Sequence, residues 1–225
     1  MAMTRECGVA KQGFDGVMGV LMTKVAASTE SKHLSLVCHT RSPTPAVHSI
    51  KAEISMTSGG DLRLRYQLEG ELDQLAIPAR APSVRAGELW RHTCFEAFIA
   101  GSGSPGYCEL NFSPSTQWAA YSFERYREEM APLDCEVFTP LEVRYSHDRL
   151  ELEAAITCKA LRALPASGAM RMALAAVVEE KQGRCSYWAL AHPPDSPDFH
   201  HPDSFVLHLQ RPVHSVTSSA AVAPS

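Results

Sequence analysis

The sequence has no large excess of either charge, no long apolar run and no paired-cysteine motif, and each absence argues against a class of function. Over 225 residues the formal net charge is −4, and the basic residues form no stripe, so no nucleic-acid partner is expected. No window approaches the roughly 18 consecutive apolar residues of a membrane helix, so no membrane role is expected. The apolar fraction of 45 % is instead typical of a folded globular protein.

The seven cysteines are scattered, their number is odd, and no two of them form a CxxC pair. This pattern argues against a disulfide framework and a structural zinc site, and it fits buried thiols in a reducing compartment. Residues 17–22 are mildly apolar but too few for a secretory signal, and no clear cleavage site follows them. The sequence therefore predicts a cytoplasmic protein.

Recognisable catalytic motifs are also missing. The chain contains no GxSxG elbow and no SxxK motif, and no helix is predicted after Gly101 and Gly103 to complete a phosphate cradle. Two carboxylates leave one enzymatic alternative open, since facing strands could hold Glu96 and Glu109 at a separation useful to a glycosidase. The simpler interpretation is that they pair with an arginine such as Arg91 or Arg125. The sequence thus favours binding without catalysis.

What the chain does contain is alternation of apolar and polar residues, the pattern of an antiparallel sheet with one buried face. It is clearest in 62–69 and 150–157, where leucines, Tyr66 and Ile156 are predicted to point inward. Many short strands separated by Gly, Pro, Ser and Asp predict an all-β sandwich or barrel, with short helical turns at 124–130 and 159–164. Further strands are predicted at 33–39, 49–56, 93–100, 107–113, 170–178, 187–191 and 205–209.

Composition divides the chain into three parts. Residues 1–32 lack sustained periodicity and are predicted to be a poorly structured leader. The regular alternation fills one domain over 33–212, and 213–225, rich in small and polar residues, is predicted to be a disordered tail.

A predicted hairpin is the best candidate for a binding site. Its strands, 93–100 and 107–113, are joined by a glycine-rich turn and flanked by Trp90 and Trp118. Aromatic rings beside carboxylates and amides suit a small polar ligand such as a sugar, because rings stack on its apolar face while polar atoms bind its hydroxyls. The predicted ligand-binding residues are Trp90, Arg91, His92, Glu96, Glu109, Asn111, Trp118, Tyr121, Trp188 and His200.

A second candidate region is the proline-rich stretch 187–202, which also carries histidines and aspartates. Proline presents polar groups at low entropic cost, although the same composition is typical of a plain surface crossover between strands. His192 with His200 or His201, and with Asp195 or Asp198, would make a set of two histidines and one carboxylate for a metal. Adjacent histidines on an extended chain point to opposite sides, so His200 and His201 are not expected to share an ion.

These segments together resemble the DOMON-like superfamily and the family-nine-like carbohydrate-binding modules within it. The likeness covers about residues 33–212 and keeps its order. Its motifs are Trp90 before the strand TCFEAFI, then YCELNFSP, an amphipathic strand with a short turn at 150–164, and finally YWAL followed by FHHPDSF. The chain departs from the family pattern at His92-Thr93, where an acid is usual, and at Ser115-Thr116, where a glycine is usual.

The resemblance implies a jelly-roll-like antiparallel β-sandwich and a non-catalytic module that holds a sugar in an aromatic clamp and requires no cofactor. Some DOMON relatives hold haem through a methionine and a histidine, and here Met130, Met170 and Met172 are available. Three hypotheses therefore stand: a binder of a carbohydrate or sugar derivative, a haem- or metal-binding protein, and a protein-interaction domain whose aromatic residues form core.

Overall fold

The computed structural model describes residues 31–57, 61–133, 135–137, 141–158 and 169–210, with backbone only for 135–137 and Cys158. Most of the predicted leader, the whole predicted tail and the helical turn predicted at 159–164 lie outside these ranges. Within them the chain is all-β, and every pair of named strands is antiparallel, as the alternation predicted.

The described part of the chain forms thirteen strands. They are β1 (Lys32–Cys38), β2 (Val47–Met56), β3 (Leu62–Gly70), β4 (Cys94–Gly101), β5 (Tyr107–Phe112), β6 (Trp118–Phe123), β7 (Ala131–Pro132), β8 (Cys135–Val137), β9 (Glu142–Tyr145), β10 (Arg149–Cys158), β11 (Ala169–Glu179), β12 (Cys185–Ala189) and β13 (Leu207–Gln210). All nine predicted strands are present, with ends shifted by at most two residues.

The strands form one curled sheet in the order β7-β6-β5-β4-β11-β12-β1-β2-β3-β10-β8, with β13 beside β11 and β9 beside β10. Strand β1 joins two halves of it. Its residues Lys32–Leu36 pair with β2, while Val37 and Cys38 pair with β12. We call β2, β3 and β8–β10 the β2 half, and β4–β7 and β11–β13 the β4 half.

The main core lies between the two halves. Leu62, Leu64, Tyr66 and Leu68 are all buried, as their alternation predicted, and so is the inward set of β11. Tyr66 stacks on Phe95 of the opposite half at a ring separation of 5.0 Å and donates a hydrogen bond to the Glu96 carbonyl at 2.7 Å. This contact fixes the backbone of β4 against the β2 half.

The second face of the β4 half, here called the outer face, is buried too. Residues 190–206, here called the cover segment, connect β12 to β13 and lie over it, so that Phe199 and Phe205 pack against Phe98. This second apolar cluster explains why every residue of β4 and β5 is buried rather than every other one.

Helical structure is limited to three short 3₁₀ turns in the described ranges, at Leu72–Gln74, Leu89–Arg91 and Pro202–Ser204. The helical turn predicted at 124–130 is wrong, because that stretch forms turns closed by an isolated bridge between Arg125 and Glu128. Strands β6–β9 were not predicted, since they are short and lack clean alternation. No helix among the described residues has the length and apolarity needed to cross a membrane.

Candidate functional site

Two carboxylates and an amide lie side by side on the outer face. Strand pairing places Glu96 opposite Asn111 and Phe98 opposite Glu109, so all four side chains share this face. Asn111 Nδ2 donates to Glu109 Oε1 at 2.6 Å. Glu96 and Glu109 are only 2 % and 4 % exposed, which is exceptional for carboxylates that have no ion pair to a lysine or arginine among the described residues.

The cover segment and the loop after β6 meet over these groups through Asp198. Its carboxylate accepts hydrogen bonds from the Arg127 guanidinium at 2.8 Å, from the Tyr126 hydroxyl, and from the His200 backbone N–H at 3.0 Å. Ser204 Oγ donates to the Asp198 carbonyl at 3.0 Å. Asp198 therefore ties both loops together and sets the position of His200.

His200 is oriented by Tyr107. The Tyr107 hydroxyl accepts from the Arg127 backbone N–H at 3.1 Å and lies 2.7 Å from His200 Nδ1. Since the hydroxyl already accepts one bond, it can donate its own proton to Nδ1, which leaves the imidazole proton on Nε2. Nε2 faces Glu109 Oε2 across 3.7 Å, too far for a direct hydrogen bond.

A cavity of about 490 Å³ opens above the carboxylates. Glu96 and Glu109 form its floor and His200 and Arg127 contribute polar groups to its walls. Trp90, Phe123, Tyr187 and Phe199 supply aromatic surface. The combination of ring faces with a few convergent polar groups is typical of a site for a small organic ligand.

The floor carboxyls hold protons unusually tightly. Burial raises the pKa of Glu96 well above its usual value, and the nearby Glu109 charge raises it further, while Arg127 acts in the opposite direction. Burial also raises the pKa of Glu109, against the hydrogen bond from Asn111 and the charge of Arg127. Because Glu109 has an amide donor and Glu96 has none, we expect the proton of the pair to reside on Glu96.

Glu96 has an unused hydrogen-bonding atom. Its Oε1 is buried and finds no hydrogen-bond partner among the residues that the structure describes. Burying a polar atom without a partner costs about 1–3 kcal/mol. Because Glu96 also lines the cavity, its carboxyl is the group that a ligand with hydrogen-bond donors is expected to engage.

His200 is uncharged at neutral pH. Burial and the nearby Arg127 guanidinium lower its pKa from 6.5 to about 4, although Asp198 opposes them. The neutral ring offers an N–H donor at the cavity wall without adding positive charge.

Four of the ten predicted ligand-binding residues line the cavity: Trp90, Glu96, Glu109 and His200. Asn111 and Tyr121 lie directly behind it, Asn111 bonded to Glu109 and Tyr121 in edge-to-face contact with Trp90 at 6.0 Å. Their roles in binding stay predictions.

The other four lie elsewhere. Arg91 pairs with Glu88 at 2.8 Å, and His92 Nδ1 lies 2.7 Å from Glu179. Trp118 lies under Arg85, whose guanidinium is 4.6 Å from the ring. Trp188 is buried in the main core and donates to Ser186 Oγ at 3.1 Å.

The arginine partners expected for the carboxylates are wrong. Arg91 pairs with Glu88, and Arg125 lies 3.9 Å from Glu128. The arginine at the cavity is Arg127, which sequence reasoning missed because 124–130 was interpreted as helix. Tyr187 and Phe199 belong to the proline-rich candidate region, but the pattern did not single them out. Phe123 gave no signal, since strand β6 was not predicted.

The metal-ligand candidates do not converge. His192 Nε2 lies 2.8 Å from the Val37 carbonyl, and its ring contacts His39 at 4.8 Å, whereas His200 faces the cavity. His201 turns instead toward Tyr126, as expected for adjacent histidines. The described part of the chain contains no group of three or more His, Cys, Asp or Glu side chains able to hold a metal ion.

Haem fits the same residues poorly. Met170 and Met172 are buried in the main core, away from the cavity. Met130 lines the cavity with His200, but His200 Nδ1 is bonded to Tyr107 and its Nε2 is directed at Glu109. The Glu109 carboxylate on the floor would also repel haem propionates.

Several non-glycine residues at or beside the cavity rim adopt a left-handed backbone. Glu88, two residues before Trp90, has φ 58°, while Arg127 and Glu129 have φ 56° and 53°. Such conformations cost about 1–3 kcal/mol each and concentrate at ligand sites. They hold the rim side chains in place around the opening.

A slightly larger recess of about 540 Å³ lies on the exterior of the β2 half, lined by charged residues including Arg65, Glu142 and Glu153. These charges pair with one another, since Arg65 contacts Glu151 at 2.9 Å and Glu153 at 3.4 Å. The recess has no aromatic wall, so it is a charged surface and a weaker candidate for a ligand site.

The fold and the cavity thus define an all-β domain with an acidic, aromatic-walled pocket on one sheet face. No family model matches the chain, and no curated protein matches it significantly. A solved structure from Bacteroides uniformis ATCC 8492, described as a "putative carbohydrate-binding protein", is similar to it at a TM-score of 0.57 and 15 % identity. The match covers 78 % of this chain and 84 % of the other. At this identity the likeness shows a shared fold.

Proposed function

We propose that the domain binds a carbohydrate or sugar derivative in the cavity above Glu96 and Glu109, and that it does so without transforming the ligand. The observation that carries the proposal is the buried Glu96 carboxyl, which lines an aromatic-walled cavity and whose Oε1 lacks a partner among the described residues. A sugar hydroxyl satisfies such an atom, and the apolar face of the ring stacks on an aromatic side chain.

The fold comparison supports the same proposal, since the similar structure from B. uniformis is described as a "putative carbohydrate-binding protein". The jelly-roll-like sandwich of the DOMON-like superfamily is the finer architecture that we propose for the curled sheet.

Binding rather than hydrolysis is favoured by the placement of the two carboxyls. A glycosidase pair flanks the scissile bond from two sides. Here Glu96 and Glu109 are diagonal neighbours on adjacent strands of one face, so both approach a ligand from below. Among the described residues that line the cavity, no further carboxyl lies on a wall to act across the sugar.

The decisive experiment is calorimetry against mono- and oligosaccharides with two matched tryptophan variants. Trp90→Ala removes a cavity wall, and we expect it to weaken binding at least about tenfold, or about 1.4 kcal/mol. Trp118→Ala removes a tryptophan outside the cavity and should leave the affinity within about twofold.

Absence of binding to every sugar, or equal loss in both variants, would refute the site. Incubated sugar that remains unchanged by NMR supports binding without turnover, whereas appearance of product would refute the non-catalytic part.

The protein-interaction hypothesis has less support, because Trp90 and Trp118 are only half-buried rather than both packed as core. The haem hypothesis has a direct check, in which a Soret band in the purified protein would overturn the sugar proposal.

A further inference from the structure

Carboxyl groups outnumber basic groups around the cavity. Three carboxyls, those of Glu96, Glu109 and Asp198, lie at or beside it, against the single guanidinium of Arg127. That guanidinium contacts Asp198 at 2.8 Å, so its strongest partner is outside the floor. No lysine or arginine among the described residues contacts Glu96 or Glu109 within ion-pair distance.

The remaining titratable groups that face the floor add no positive charge at neutral pH. His200 is neutral, and burial raises the pKa of the Cys94 thiol and of the Tyr107, Tyr121 and Tyr187 hydroxyls, which keeps all four protonated. Glu179, farther along the same face, is paired with His92. The floor is therefore acidic and desolvated, which favours a positively charged group on the ligand.

The aromatic walls of the cavity suit a cation as well as a sugar ring. Trp90, Phe123, Tyr187 and Phe199 surround the opening, and the electron-rich face of an aromatic ring attracts an ammonium group. An ammonium group also has three N–H donors, enough to bond to both of the carboxyls that line the cavity, Glu96 and Glu109.

Resting on the sugar binding proposed above, we propose that the ligand is an amino sugar with a free ammonium group, held between Glu96 and Glu109. Entry of the ammonium supplies the missing charge, so the proton held by the carboxyl pair leaves as the ligand binds.

The test compares glucosamine, glucose and N-acetylglucosamine by calorimetry at about pH 6, where an amine remains protonated. We expect glucosamine to bind at least about tenfold more tightly than either neutral sugar, because charge-assisted hydrogen bonds are roughly twice as strong as neutral ones. Repeating the titration in two buffers of different ionisation enthalpy should show net proton release with glucosamine alone.

The matched variants are Glu109→Gln and Glu142→Gln. The first removes the floor charge while keeping its shape, and should abolish the preference for glucosamine. The second removes an exposed glutamate of β9 that contacts Arg144, and should leave the preference intact. If Glu109→Gln fails to fold, the ligand series on the unaltered protein still decides.

The outcomes separate the two proposals. Equal binding of all three sugars would overturn the amino-sugar inference and leave carbohydrate binding standing. Binding of none of them would overturn the amino-sugar inference, and the sugar proposal falls with it only if the wider panel of mono- and oligosaccharides also fails to bind. Binding of cyclohexylamine as tight as that of glucosamine would also overturn the inference, since charge alone would then explain recognition.

Discussion

At the scale of single residues, the most consequential group is the Glu96 carboxyl, which strand pairing places in a desolvated position with one oxygen unused. The cost of this placement depends on pH. The pKa of Glu96 is raised in the folded protein. Above the ordinary pKa near 4.5 the unfolded chain releases this proton, while the folded protein keeps it. Stability is therefore lost as pH rises from that value toward the folded pKa.

Replacing Glu96 by glutamine should accordingly stabilise the protein at high pH only. We expect the free energy of unfolding of Glu96→Gln to exceed that of the parent by about 1–3 kcal/mol near pH 8, with the gain shrinking toward pH 4. Urea titrations across this range measure it. A difference that does not vary with pH would contradict the assigned environment.

His200 gives a pH dependence of the opposite sign. The pKa of His200 is lowered in the folded protein to about 4. Between about pH 6.5 and 4 this histidine is therefore protonated in the unfolded chain and neutral in the folded protein. Stability should fall by up to about 3 kcal/mol as pH drops through this window. His200→Gln should flatten the fall, whereas His33→Gln, at an exposed position of β1, should not. An unchanged slope in His200→Gln would show that the ring is not buried as described.

At the scale of elements, the end of β3 approaches β2 so closely that only glycine fits. A Cβ on Gly70 would lie 2.2 Å from the Ala46 carbonyl oxygen, which is backbone and cannot move aside cheaply. Gly87 has no atom within 4 Å of the same position.

We therefore expect Gly70→Ala to lower the free energy of unfolding by about 2–4 kcal/mol and Gly87→Ala to change it by less than about 0.5 kcal/mol. Thermal or urea denaturation of the pair tests this. Equal stability of the two variants would mean that β2 and β3 are not joined at this register.

Which segments form strands was largely predictable, because the signal lies within each segment. In β3 and β10 one face is buried and the other wet, so period-two alternation appears directly in the sequence. In β4 and β5 both faces are buried, so alternation indicated the strands without separating a buried face from a wet one, and the glycine-rich turn between them indicated the hairpin. Strand β6 carries no such signal because its exposure follows no alternation, with Trp118, Tyr121 and Ser122 all half-buried.

At the scale of the whole molecule, the order of strands was not predictable, because it depends on contacts between distant segments. Nothing in the sequence near Cys94 shows that β4 pairs with β11, some 80 residues away. The cavity also depends on contacts between distant segments. Trp90, Glu96 and Glu109 were found from one hairpin, but Arg127 and the cover segment are placed there by such contacts, among them those of Asp198 and Tyr107.

The two halves of the sheet share β1 and the Tyr66–Phe95 contact, so they should unfold together. All three tryptophans belong to or adjoin the β4 half, whereas circular dichroism reports on both halves. We expect fluorescence and far-ultraviolet dichroism to give the same urea midpoint. Separate midpoints would show that the halves are independent units.

The cavity floor belongs to strands and much of its wall to loops, which has a consequence for protein engineering. The acid pair belongs to β4 and β5, each held between two neighbouring strands, while much of the enclosing wall belongs to loops outside the sheet. Loops tolerate insertion far better than internal strands do. Lengthening or shortening the 190–206 connection should therefore change the size of ligand that the proposed site accepts. The proposed preference for a positively charged ligand should stay the same.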